Sequence, residues 1–183
     1  DTIKQNITQF ILIVFSVVLG VYVSERIEER KKIQEADNLL TTIKSEVKDN
    51  IKLLKDWSPY HQEIYKNLDS LSNDAVFIKQ FVNDKFILLE TLLTRGTFMS
   101  RMPASDAWDI AKSHPLIVNI DYDKYLILSR IYTQQALTFE PGTEMFELYK
   151  SKGVNKEPDA QANLRLMSDR FFELVARERQ LMA

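Results

Sequence analysis

The hydrophobic pattern of this chain changes character after its first two dozen residues. Gln5 to Ser24, QNITQFILIVFSVVLGVYVS, is a run of twenty residues without a charge. From Glu25 onward the apolar positions thin out to one face of a helix. A helix rises ~1.5 Å per residue, so the first run matches the roughly 30 Å hydrocarbon core of a bilayer. Lys4 flanks it on one side, and Glu25, Arg26, Glu28, Glu29, Arg30, Lys31 and Lys32 on the other. A buried helix of a soluble protein is usually apolar over only ~10–14 residues. A cleavable signal would end in a small-residue site, whereas Val21, Tyr22 and Val23 run straight into charge. The pattern predicts a membrane anchor over residues 1–24 and an extramembrane domain over 25–183. The chain opens on Asp1 rather than Met, so further residues are expected ahead of it.

The second pattern is a seam. Ala36, Leu40, Ile43, Val47, Asn50, Leu54 and Trp57 alternate four and three apart, the spacing of a heptad repeat. Lys44, Glu46, Lys48, Asp49, Lys52 and Asp56 fall on the other, solvated face. No Gly or Pro lies between Gly20 and Trp57. The span is therefore expected to continue into one long coiled-coil-like helix over 25–57, with Asn50 as a register-setting residue. The seam either pairs with a second copy or is covered by later helices of the same chain. The several amphipathic segments downstream favour the second.

Ser58-Pro59 reads as a restart or a kink, since Ser suits an N-cap and Pro the first helical position. The seam resumes at Ile64, Leu68 and Leu71, and Ser72-Asn73-Asp74 closes it and can cap the next helix. Ala75 to Thr94 reads as one helix, with Phe77, Phe81, Ile87, Leu88, Leu92 and Leu93 inward and Arg95-Gly96 as its stop. Thr97 to Ala104 is a loop. Ser105 is expected to cap a short helix over Asp106 to Lys112, before His114-Pro115. Asp121 is expected to cap a helix from Tyr122 to about Leu137, ended by Pro141-Gly142. A short helix over Thr143 to Lys150 and a polar, flexible stretch over Val154 to Pro158 follow. Asp159 to Met182 is a last amphipathic helix with Leu164, Met167, Phe171, Leu174 and Leu181 on one stripe. The fold class is all-α: one N-terminal membrane helix, its long continuation, and a helical bundle over 59–183.

Composition narrows the function. Four Gly and five Pro in 183 residues argue against turn-rich β structure. No Cys occurs, which removes disulfides, thiol nucleophiles and thiolate zinc sites. A net charge of −2 with interspersed signs offers no basic patch for nucleic acid.

Candidate chemistry is sparse. Ser16, Gly20 and Ser24, four apart, form a small-residue face on which another membrane helix can pack. His61 and His114 are lone histidines, and a metal site needs three or four ligands, so both are expected to be structural or exposed. Asp121-Tyr122-Asp123 has the form of a short metal motif, but capping and the helix dipole explain it. Tyr122, Tyr125, Tyr132, Phe139, Phe146 and Tyr149 are spaced for core packing rather than an aromatic groove. No catalytic, cofactor-binding or metal site is expected.

LGVYVSERIEERKK at the end of the span, the long charged helix, and SDAWDIAKSHPLIVNIDYDKYLILSRIYTQQ together resemble a family of uncharacterised small single-span membrane proteins of Bacteroidota. In the second block Trp108, Ile110, Lys112, Ser113, Leu116, Ile120 and Tyr132 carry the likeness, with His114-Pro115 where the family has Gly. The resemblance implies a bacterial inner-membrane protein with a helical periplasmic domain, and no activity. Arg26, Arg30, Lys31 and Lys32 by themselves would hold the domain in the cytoplasm, but long domains translocate largely regardless of such charges. The expectation is a periplasmic domain on an inner-membrane anchor. The partners expected are the lipid bilayer and other integral membrane proteins, and self-association stays open. The leading function is a non-enzymatic accessory or scaffolding subunit of a membrane complex, and the alternative is a sensory or ligand-binding ectodomain.

Overall fold

The computed structural model describes the backbone of residues 2–183 and the side chains from residue 9 onward. Asp1, and the side chains of Lys4 and of residues 5–8 at the start of the predicted span, lie outside the described residues. Among the described residues the fold is all-α. Six helices occur: α1 (Thr2–Leu71), α2 (Ala75–Asn83), α3 (Phe86–Leu92), α4 (Asp106–Ser113), α5 (Tyr122–Lys150) and α6 (Ala160–Met182). A 3-10 turn over Pro115–Asn119 joins α4 to α5.

α1 organises everything else. Its 70 residues make ~105 Å of helix. Residues 9–35 are exposed on every side, and this half contains one stretch long and apolar enough, by length and composition, to cross a membrane. From Ala36 onward the seam is covered by the chain itself. Ala36, Leu40, Ile43, Asn50, Leu54 and Trp57 are buried and Val47 is half-buried, so this stretch is no longer available to a second copy.

Two cores line α1. Near the bare half, Ala36, Leu40 and Ile43 pack with Trp108, Ala111, Ile120, Leu128 and Tyr132. Farther along, Leu54, Ile64 and Leu68 pack with Phe77, Phe81, Leu88, Met167 and Phe171. Each Leu, Ile, Met or Phe side chain among them contributes ~1.5–3 kcal/mol by leaving water. α6 packs against both α1 and α5 and runs back along α1. Gln161 Nε2 donates to the Ser72 carbonyl at one end, and Glu178 meets His61 at the other. α5 runs the same way as α1, since Tyr132 meets Glu46 and Gln135 meets Asn50.

Pro141, expected to end a helix, does not, and Pro59, read as a restart or a kink, continues one. Pro59 lies inside α1 and Pro141 inside α5. Proline removes one N–H and orphans the carbonyl four residues back. For Pro141 that carbonyl belongs to Leu137, and the Arg177 guanidinium on α6 donates to it. Tertiary structure supplies the donor that the sequence removes, so the expected helices over 122–137 and 143–150 are one. Pro59 is on the exposed face of α1 while Trp57, Tyr60 and His61 are buried on the other. Arg95 reaches back to donate to the Asp56 carbonyl, 3.4 Å away. Its guanidinium lies 5.1 and 4.9 Å from the ring centres of Trp57 and Tyr60, strapping the helix across the proline. The long helix expected over 25–57 therefore continues through Pro59 to Leu71.

The single helix expected over 75–94 is instead two. Asp74 caps α2 through Val76 and Phe77 N–H, as its position suggests. Asp84 then accepts from Phe86 N–H at 2.9 Å and starts α3. The carbonyls left at the end of α2, Phe81 and Val82, accept from Asn155 Nδ2 at 3.1 and 3.0 Å. That contact, with Val154 fully buried, ties down a stretch whose polarity suggested flexibility. Gly96 takes φ +73°, a left-handed turn that glycine adopts without steric cost.

Candidate functional site

Ser16, Gly20 and Ser24 all lie in the bare half of α1. A Cβ built on Gly20 would meet nothing within 4 Å, so the fold leaves this face open. The Ser16 hydroxyl donates to the Leu12 carbonyl of its own helix at 2.8 Å.

Inside the domain, three polar contacts join distant elements. Asn50 on the seam pairs with both backbone groups of one loop residue. Its Nδ2 donates to the Ala104 carbonyl at 2.7 Å, and its Oδ1 accepts from Ala104 N–H at 2.9 Å. The same amide donates to Gln135 Oε1 at 3.0 Å. Asn50 thus fixes the register of α1 against both the loop and α5.

Glu46, expected on the solvated face, is half-buried. One oxygen accepts from the Tyr132 hydroxyl at 2.6 Å, the other from Ala107 N–H at 2.8 Å. It therefore does for α4 the capping expected of Ser105, whose hydroxyl donates instead to Asp109 Oδ2. Burial, and then the Glu46 carboxylate, push the Tyr132 phenol far above its ordinary range. The folded state thus holds this proton more tightly than the unfolded chain. The associated stability is complete below pH ~10 and is lost as pH rises beyond it, at up to ~1.4 kcal/mol per pH unit. Denaturant unfolding followed from pH ~9 to ~11.5 should show that decline, and Tyr132→Phe should flatten it. Part should survive in the variant, because burial and then the Asp84 charge raise the Tyr149 phenol too. An unchanged slope in Tyr132→Phe would mean that this phenol is not desolvated.

The third group is an ion-pairing contact missed in the sequence. His61 Nδ1 lies 2.6 Å from Glu178 Oε1, with side chains 3% and 0% exposed. His61 Nε2 lies 2.9 Å from the Phe98 carbonyl, which can only accept, so Nε2 carries a hydrogen. The Nδ1–Oε1 contact then requires one further proton between the two groups. Glu178 Oε2 is buried without a hydrogen-bond partner. Both residues do have a signature. His61 sits on the α1 seam, four after Trp57 and three before Ile64. Glu178 sits on the α6 stripe, four after Leu174 and three before Leu181. Opposite polar residues on two apolar stripes are a pair in waiting.

His114 Nδ1 accepts from Leu116 N–H and caps the 3-10 turn. Asp121 accepts from Asp123 and Lys124 N–H and caps α5. Among the described residues no cluster of three metal-ligating side chains occurs. Of the aromatic series, Tyr132, Phe139 and Tyr149 are buried, whereas Tyr122 and Phe146 face outward.

Phe146 borders a cleft between the 97–104 loop and α5. An outer chamber of about 590 Å³ is lined by Trp108, Asp109, Lys112, Gln135 and Glu140 among others. An inner chamber of about 200 Å³ is walled by phenylalanines and methionines over His61. Met102, Phe139 and Thr143 belong to both. No family model matches this chain, and no curated protein or solved structure matches it either.

Proposed function

We propose that this protein is a non-enzymatic accessory or scaffolding subunit of a bacterial inner-membrane complex, docked through its single span. The observation that carries the reading is the bare first half of α1. Residues 9–35 are exposed on every side, while the same unbroken helix goes on to hold both cores of the domain. Helices in a bilayer associate by close packing of small residues, because lipid offers no hydrophobic drive. The open Ser16, Gly20 and Ser24 face suits that mode. Since the Ser16 hydroxyl already bonds Leu12, small size rather than a polar contact is what this face offers. The charged segment from Glu25 to Lys32 lies at the lipid headgroups, and the domain extends from it on the periplasmic side.

The test is purification of the full chain in mild detergent, with quantitative mass spectrometry, beside Gly20→Ile. A fixed set of integral membrane proteins should co-purify, and Gly20→Ile should reduce its recovery at least about tenfold, equivalent to ~1.4 kcal/mol of binding. A chain that purifies alone, or an unaffected Gly20→Ile, overturns the reading. Protease added to spheroplasts should cut the domain, and survival of α6 would put it in the cytoplasm instead.

A further inference from the structure

We propose that the cleft between the 97–104 loop and α5 binds a small amphiphilic molecule, its apolar end in the inner chamber and an uncharged, hydrogen-bonding head in the outer one. This goes beyond docking through the span, and either can fail without the other.

The inner chamber accepts only apolar matter. Its polar side chains are already engaged: both His61 nitrogens bond, to Glu178 and to the Phe98 carbonyl, and the Thr143 hydroxyl donates to the Phe139 carbonyl. An apolar cavity of ~150 Å³ takes a benzene-sized guest, so about 200 Å³ takes an aromatic ring or a short hydrocarbon chain. Met99, Met102 and Met145 among the walls are flexible and polarizable, and adapt to irregular guests. The mouth is not sealed by the fold, since Met102 and Phe146 are 57% and 43% exposed.

The outer chamber is of a different kind. Its volume, about 590 Å³, lies within the ~300–1,000 Å³ of small-molecule sites. Its charges are paired: Asp109 with Lys112 at 2.7 Å, and Glu140 with Arg177 at 3.6 Å. With no net field to select an ion, the head that fits is a hydroxyl or amide that bonds to ammonium and carboxylate alike. Met102, Phe139 and Thr143 line both, so the two chambers adjoin and a molecule laid across these residues reaches both.

The experiment uses the full chain in a lipid nanodisc and a short-chain alcohol carrying a diazirine at its tail. After irradiation, labelled peptides are mapped by mass spectrometry. The probe also partitions into lipid, so labelling of residues 10–23 serves as an internal reference. Labelling over 98–102 and 139–146 should saturate with probe concentration. It should fall at least about tenfold in Gly142→Leu, with the reference unchanged. Gly142 lines the inner chamber, and its added Cβ would sit at an ordinary 3.6 Å from Leu174, so the larger side chain fills the space. If circular dichroism shows Gly142→Leu misfolded, Thr143→Phe, from the shared wall, is read in its place. Labelling confined to the span, labelling of the cleft that rises without saturating, or equal labelling in wild type and a folded plugged variant would each overturn the proposal.

Discussion

Glu178→Ala should destabilise the domain by about 3–5 kcal/mol, the range found when one partner of a buried charged contact is removed. Both side chains are sealed from water, so His61 Nδ1 would face a void with no solvent to replace the carboxylate. For a domain of this size the loss corresponds to a fall in Tm of roughly 10 °C, measurable by circular dichroism. Glu178→Gln should cost much less. Its amide can donate to Nδ1 while Nε2–H stays on the Phe98 carbonyl, which removes the need for the shared proton. The double variant His61→Leu with Glu178→Leu should recover part of the loss, because apolar side chains of similar volume often match a buried pair. It should not recover all of it, since the Phe98 carbonyl then loses its donor. A loss below ~1 kcal/mol in Glu178→Ala would mean that the pair is hydrated after all.

Asn50→Leu should cost about 2–4 kcal/mol. The substitution fits the seam by size and polarity, and on sequence grounds alone it would pass as an improvement. In the fold it leaves the Ala104 N–H and the Gln135 carbonyl oxygen without their partner. Each buried group left unpaired costs ~1–3 kcal/mol, offset in part by the apolar gain. Denaturant unfolding gives the magnitude. Amide hydrogen exchange at Ala104 gives the location, because its protection depends on Asn50 alone among the contacts of that loop. Unchanged exchange together with a loss below ~1 kcal/mol would show that Asn50 does not hold the loop.

These two residues mark where the sequence could and could not be read. Asn50 was legible because it interrupts a regular seam, and a lone polar residue at such a position sets register. Asp74 and Asp121 were legible because caps act over two or three residues. Pro141 misled because its rescuer, Arg177, lies on another helix, and local signals have no access to it. The break at Asp84 was missed for the same reason: Asn155 secures the carbonyls exposed there. Glu178 was hidden by its setting in ARERQ, where charge reads as solvent exposure and only the stripe spacing says otherwise. The cleft was not legible at all, since it arises where a loop fails to fill the space beside α5.

The unbroken course of α1 has a mechanical consequence. From Ser24 to Leu71 the helix extends ~70 Å, stiffened over its far part by the domain packed on it. A tilt of about 10° at the bilayer would then sweep the far end of the domain through roughly 12 Å. With the span docked in a bilayer as proposed, the protein would act as a lever with its fulcrum in the membrane. A partner gripping the short arm there would set the position of everything carried on the long arm, since α1 has no hinge between to absorb the motion.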